Sequence, residues 1–494
     1  MLASVTSITR TVIKGLLNLI VARWIIKVYG SDYNGLASTA NQLINMLLIA
    51  EGGFTVAANV ALFSPLSNGD TAKVNGILAA VDQRFRKIGA FVFFVGTAAS
   101  IVYSFIIKTQ LSPVITVLTF MMLVVSTSIS FFYIAKYSII FQSEQKEYQL
   151  NIISIFVTLA TNALLLLAVS RNWPMLSLRL IIMCCSIGGS IAVVFLFKRQ
   201  YPNINYHVKP DFQSIKGTGD VFIQKITGVL YSSMPILFIA SFVGTATASV
   251  YAVYNAVFNI LKNLSYAIIN APRISLGRLI SEEGQHSSHL RRVFNEYEFT
   301  IIYVVVALLS VSTVTIIPFV KLYAKDFSDI NYLRWDVILL LTLVCYFECI
   351  HIPSGNLISM AGKFRVGRNI QIIACTGLVV LLIIGGLYGG LTDILRAVMV
   401  TAILLAVMEI GYVRKIYFPK SWLSFFKVLL TNTLIGVALI FAELQIHLPI
   451  NSFPQFFIWA IVLLLLNSSL LLLVNYMVNR DVVMSFIRRL RGLL

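Results

Sequence analysis

Two stretches decide the fold: Tyr29–Asn45, YGSDYNGLASTANQLIN, and Val243–Asn259, VGTATASVYAVYNAVFN. Each opens on a glycine that closes an apolar run. Each then carries asparagines at the same offsets, Asn41 and Asn45 after Gly30, Asn255 and Asn259 after Gly244. The two are related by a shift of 214 residues. Six apolar segments lie within that shift. An even number of spans keeps both copies in the same orientation, so the repeat predicts two parallel six-helix lobes related by an axis along the membrane normal.

Working outward, apolar stretches of spanning length recur along the whole chain. Of the 494 residues, 58% are hydrophobic and 12% charged. A soluble domain runs at about 45–50% apolar and about 25% charged, so this chain needs a bilayer as solvent. The pattern predicts an all-α polytopic membrane protein with about fourteen transmembrane helices. They fall near 5–28, 34–62, 87–107, 112–134, 149–169, 175–197, 221–243, 247–271, 298–320, 335–357, 369–388, 393–413, 426–443 and 455–476. The expected division is an N-lobe over 1–200, a C-lobe over 201–415, and two further helices with a basic tail over 416–494. That tail, 481–494, reads as a basic amphipathic helix on the membrane surface. The first apolar stretch reads as a spanning helix and not as a cleavable signal.

The formal net charge is +18. With both termini placed in the cytoplasm, 26 of the 38 Lys and Arg residues fall in cytoplasmic loops or the tail. The opposite loops hold about five or six, led by Lys321, Lys325 and Arg334, which is the bias that sets orientation. Every loop is too short for a nucleic-acid-binding module, so nucleic acid is not an expected partner. The five cysteines sit in apolar segments without a CxxC pair, and the five histidines form no ligand cluster; no metal site is expected. There is no P-loop and no nucleophile elbow, so no enzyme is expected.

Charge inside a span is costly and marks function. On the first helix, Ser7, Arg10, Lys14 and Asn18 fall within a stripe of about 80°. Adjacent cations one turn apart make sense where that face lines a hydrated cavity receiving an anion. The alternative for Arg10 is snorkelling to the cytoplasmic surface. Arg23, Lys27, Arg179 and Arg396 read as interfacial anchors. On the eighth helix, Asn255, Asn259, Lys262, Tyr266 and Asn270 share a face within about 60°. The second helix mirrors it with Asn41, Asn45, Gly52 and Asn59, and Glu51 to one side. Glu348 and His351, at i and i+3, and Glu51 are the candidates for binding a coupling H⁺ or Na⁺. No other cofactor is expected.

The run Arg23–Leu36 (RWIIKVYGSDYNGL), Glu51-Gly-Gly-Phe54 and Leu62–Asp70 (LFSPLSNGD) resembles the N-terminal signature of Wzx-type O-antigen and capsule flippases. These belong to the multidrug/oligosaccharidyl-lipid/polysaccharide (MOP) exporter superfamily. Phe141–Tyr148 (FQSEQKEY) and Met360–Arg365 (MAGKFR) resemble that family's loops after the fourth and tenth helices. The resemblance spans roughly the first 370 residues. It implies a V-shaped pair of six-helix bundles with alternating access in a bacterial cytoplasmic (inner) membrane. It also implies a cargo, an undecaprenyl-diphosphate-linked oligosaccharide moved from the inner to the outer leaflet, with membrane lipids and a polysaccharide polymerase as partners. On that reading Arg10, Lys14 and Lys262 meet the diphosphate, while Asn41, Asn45, Asn255, Asn259 and Tyr266 meet the sugar. Three readings compete: a lipid II flippase of the same superfamily, a multidrug/cation antiporter, and a non-transporting membrane scaffold or transferase. The antiporter fits less well, because the embedded charge is mainly basic.

Overall fold

The structure is a computed structural model that describes residues 2–215, 219–269, 273–284, 287–446 and 448–491. Asn270, His286 and His447 lie outside the described residues. Every regular element among them is helical, and the chain divides into two compact units, Met1–Ala252 and Val253–Leu494.

The first unit opens with α1 (Leu2–Leu47), which turns at Gly30 (φ 85°, ψ 166°) instead of stopping there. A short 3₁₀ turn, Leu48–Glu51, leads to Gly52 and Gly53, both left-handed, and then α2 (Phe54–Ser67). The single span expected over 34–62 is therefore broken, by 44°. Two consecutive residues at positive φ cannot continue a right-handed helix, and glycine adopts that region without strain. Next comes α3 (Thr71–Ile106), capped by Asp70, whose carboxylate accepts from the Lys73 N–H at 3.0 Å. It starts well before the expected 87, so the first basic loop is largely helical. After it come α4 (Pro113–Tyr133), α5 (Ala135–Ser143), α6 (Glu147–Ser170), α7 (Met175–Gln200) and α8 (Gly219–Phe238). A π turn, Ile239–Val243, and Gly244 (φ 138°) precede α9 (Thr245–Ile269). The division between the units falls inside α9.

The second unit continues with α10 (Arg273–Glu283), α11 (Ser288–Tyr323), α12 (Trp335–Ile350), α13 (Ile352–Met360), α14 (Phe364–Tyr388) and α15 (Leu391–Ile416). It ends with α16 (Trp422–Leu444), α17 (Phe453–Val478) and α18 (Arg480–Arg491). The tenth expected span is split at His351, where Pro353 enters the first turn of α13.

Among the described residues, eleven helices are long and apolar enough to cross a membrane, and twelve if α1 and α2 form one bent span. The fourteen-span expectation counted α1 and α2 as two, and it counted α9. Asn255, Asn259 and Lys262 keep α9 out of the eleven. The helices turn apolar side chains outward, such as Leu465 (65% exposed) and Met477 (72%), while Asn432, Asn467 and Asn475 are fully buried. That inversion of the soluble pattern suits a lipid solvent, where polar side chains bond between helices.

The repeat is structural. The two helix-breaking glycines, Gly30 and Gly244, both have positive φ. The turn in which Lys146 N–H donates to Phe141 C=O, with Gln145 left-handed, recurs 217 residues later as Lys363 N–H to Ile358 C=O, with Gly362 left-handed. The breaks at Ile134 and His351 have the same spacing.

Candidate functional site

In the first unit, α1 carries Arg10, half-buried, and Lys14, exposed. Neither has an ion-pair or hydrogen-bond partner among the described residues. A cation in a spanning helix without a carboxylate is tolerated only where water or an anion reaches it. Past the Gly30 turn, Asn41 is exposed. Asn45 donates to Gln42 Oε1 (3.1 Å), which also accepts from the Ser233 hydroxyl on α8 (3.0 Å). Asn59 instead donates to Gln142 Oε1 on α5 at 2.9 Å, so it belongs to the packing of α2. Glu51 accepts from the Thr55 hydroxyl and lies 3.7 Å from Lys225 Nζ. Gly52 is needed beside it: a Cβ there would sit 2.2 Å from the Phe222 ring.

Both glycine turns of the repeat meet inside this unit, at the end poor in Lys and Arg. Asp32 accepts from Thr245 Oγ1, from Thr109 Oγ1 (2.6 Å) and from the Gln110 N–H (2.9 Å). Lys108 C=O takes the Thr245 N–H (2.9 Å), and Asn34 donates to Ser249 Oγ (2.7 Å). Gly35 lets the backbones approach, since a Cβ there would overlap the Thr245 carbonyl at 1.7 Å. Asp32 stands in the Gly30-Ser-Asp motif, but its partners lie 77 and 213 residues away. No local pattern announces them.

In the second unit, α9 presents Asn255 and Asn259, half-buried, with no hydrogen-bond partner among the described residues. One turn on, Lys262 Nζ donates to Glu348 Oε2 at 3.1 Å, with side chains 18% and 12% exposed. Tyr266 lies in the electrostatic neighbourhood of Lys262, Glu348, Cys345 and Cys349. Glu348 and His351 do not act as a pair. Glu348 faces Lys262, whereas His351 Nδ1 is 2.8 Å from Glu409 Oε2 on α15, a carboxylate only 4% exposed. The helix break at His351 turns the two side chains to different neighbours, so the i, i+3 relation does not persist. Gly355 makes room for Glu409, whose Oε2 would lie 2.5 Å from a Cβ there.

Two buried ion pairs were not foreseen. Lys136 on α5 (6% exposed) donates to Asp82 Oδ1 on α3 at 2.5 Å and lies 4.2 Å from the Tyr206 ring centroid. Arg414 (0% exposed) donates to Glu298 and to Ser421 and packs on Phe425, 4.7 Å from its centroid. Both lie where the repeat's basic loops enter the helices. The signal available in sequence was an acid facing the apolar side of α3 and α11; the partner could not be read. Nearby, Asp211 accepts from the Ser214 hydroxyl (2.6 Å) and N–H (3.1 Å), which hold its carboxyl below the usual carboxylate range. Among the described residues, no three His, Cys, Asp or Glu side chains come together as a metal would require.

No family model and no curated protein matches the chain by sequence. Solved structures do match. A lipid II flippase MurJ in an inward closed conformation aligns with TM-score 0.69 at 13% identity, over 94% of this chain and 98% of that one. An inward-facing multidrug resistance MATE transporter of the MOP superfamily aligns with TM-score 0.62 at 12% identity, over 86% and 95%. A MOP superfamily transporter from Pyrococcus furiosus, described as having a binding pocket of reversed polarity, aligns with TM-score 0.53 at 11% identity, over 84% and 94%. At such identity the likeness concerns the fold, and the conclusion is that this multi-pass chain has the fold of the MOP superfamily transporters, flippases and multidrug exporters alike.

Proposed function

We propose that the chain is a flippase for lipid-diphosphate-linked oligosaccharides, moving them from the inner to the outer leaflet by alternating access. The observation that carries this is the polar face of α9. Asn255 and Asn259 offer unused amides beside a half-buried Lys262–Glu348 pair. Unused amides suit sugar hydroxyls, which need donors and acceptors together. An ammonium held by one carboxylate can exchange that partner for a diphosphate without being left unpaired, which is what makes a buried cation affordable. Arg10 and Lys14, which have no carboxylate partner among the described residues, are the further cations proposed to meet the diphosphate, and Arg fits phosphate oxygens with two parallel N–H bonds. Asn41, Asn45 and Tyr266 complete the proposed polar lining.

Lipid II, also a lipid-diphosphate sugar, satisfies the same chemistry and is supported by the MurJ likeness. A cationic-drug antiporter would require predominantly acidic cavity charge, whereas Arg10, Lys14 and Lys262 are basic. The same reading puts the protein in a bacterial cytoplasmic membrane with both termini cytoplasmic, and a polymerase as the downstream partner. Glu51 beside Lys225, and Glu409 with His351, are the groups to test for H⁺ or Na⁺ coupling. Deleting the gene should cause lipid-linked oligosaccharide to build up in the inner leaflet. The wild-type chain should clear it and Lys262→Ala should not. No build-up, in cells lacking a redundant exporter, rejects the sugar-lipid cargo.

A further inference from the structure

Arg179 is a buried cation without a counter-ion among the described residues. It sits in the second turn of α7, at the end of the bundle poor in Lys and Arg, and is 6% exposed. Its guanidinium carbon is 5.7 Å from the Tyr33 ring centroid, and its Nε is sealed from solvent with no hydrogen-bond partner. Among the described residues no carboxylate pairs with it. Two nearby carbonyls are already taken: Tyr33 donates to Met175 C=O (2.8 Å) and Tyr29 to Trp173 C=O (2.6 Å).

Arg414, more deeply buried and likewise with an unpartnered Nε, shows what this fold does when it supplies a counter-ion itself: Glu298, with Ser421 and an aromatic face beside it. Arg179 has only the aromatic face, and a ring satisfies none of the five N–H donors. It also lies at the wrong end of its helix, since the N-terminus carries partial positive charge that favours anions and disfavours cations. Long helical side chains lean back toward the N-terminus, which directs the guanidinium toward the first turn of α7, where the Ser177 N–H is taken by Pro174 C=O (2.9 Å) and the N–H groups before it have no partner within the helix. A buried charge is retained when something pairs with it. Here that partner has to come from outside the chain.

We infer that Arg179 and the first turn of α7 bind a phosphate group. The flanking Trp173, 45% exposed, is of the residue type enriched at a membrane–water interface, where a lipid phosphate resides. A lipid headgroup and free phosphate share this chemistry. The site is separate from Arg10, Lys14 and Lys262 and stands whatever the cargo.

The test is the melting temperature of the full chain, purified in uncharged detergent and titrated with phosphatidylglycerol, diacylglycerol or inorganic phosphate at constant ionic strength. Phosphatidylglycerol should give a saturable rise that diacylglycerol does not. Arg179→Gln should weaken it at least tenfold. Arg179→Lys, which keeps the charge and loses the fork, should fall between and guards against a Gln variant that does not fold. An equal, Arg179-dependent rise with inorganic phosphate assigns free phosphate as the occupant. Responses to both probes that are the same in wild type and Arg179→Lys, or in wild type and Arg179→Gln, overturn the site.

Discussion

Two of the cation-bearing helices, α1 and α9, solve the same problem in opposite ways. Arg10 and Lys14 have no carboxylate partner among the described residues, and Lys14 is open to its surroundings. Lys262 is mostly enclosed and shares Glu348. Deeper still, Arg414 is completely enclosed and is held by Glu298 and Ser421. Along this series pairing increases with enclosure, as the cost of an isolated charge requires; Arg179, enclosed yet without a carboxylate partner among the described residues, departs from it. The lesson is that an enclosed cation given a carboxylate by its own chain serves the fold, while a cation without one is free to serve a ligand. Lys262 stands between and can do both.

The sharpest way to break that distinction is to remove a partner from the most enclosed pair. Glu298→Gln or Arg414→Met should cost about 3–5 kcal/mol of stability, because each strands a buried charge. Denaturation of the purified protein measures it. The double variant should recover much of the loss, since a neutral, well-packed replacement leaves nothing stranded. At the other end, Arg10→Ala and Lys14→Ala should each lower transport by about tenfold while leaving the melting temperature within a degree or two of wild type. If either destabilises as much as Arg414→Met, the separation between fold and ligand charges fails.

The smallest effect is expected at Asp211, outside the membrane-level helices. Its carboxyl is depressed by Ser214, so its contribution is complete above the usual carboxylate range and is lost as pH falls through its lower, folded-state value. Asp211→Asn should therefore differ from wild type at pH 7, and the gap should shrink as pH falls below the usual carboxylate range in a melting series. A constant gap would show that the carboxylate's charge has no part in holding the 201–215 segment.

Much of this fold was legible in sequence. Gly30 and Gly244 marked the repeat because only glycine adopts their φ readily. Apolar run lengths placed most helices, and α18 follows the basic tail. The Gly52–Gly53 break was written in the chain, yet a continuous apolar pattern concealed it. The candidate site was legible on one side only. Periodicity put Asn255, Asn259 and Lys262 on one face of α9, but Glu348 is 86 residues away and Glu409 is 58 from His351. Long-range partners depend on which helices become neighbours, and a helical period carries no information on that. The same limit hid Asp82 with Lys136 and Glu298 with Arg414, and made Arg179 look like a surface anchor.

The most direct test of the central claim uses purified chain in vesicles loaded with a lipid-diphosphate oligosaccharide labelled on its sugar, following access of the label to an external lectin. Wild type should equilibrate the label between leaflets. Lys262→Ala/Glu348→Ala, which strands no charge and should fold, should leave it on its original side. Equal flipping by both would contradict the account and leave Lys262–Glu348 as a structural pair.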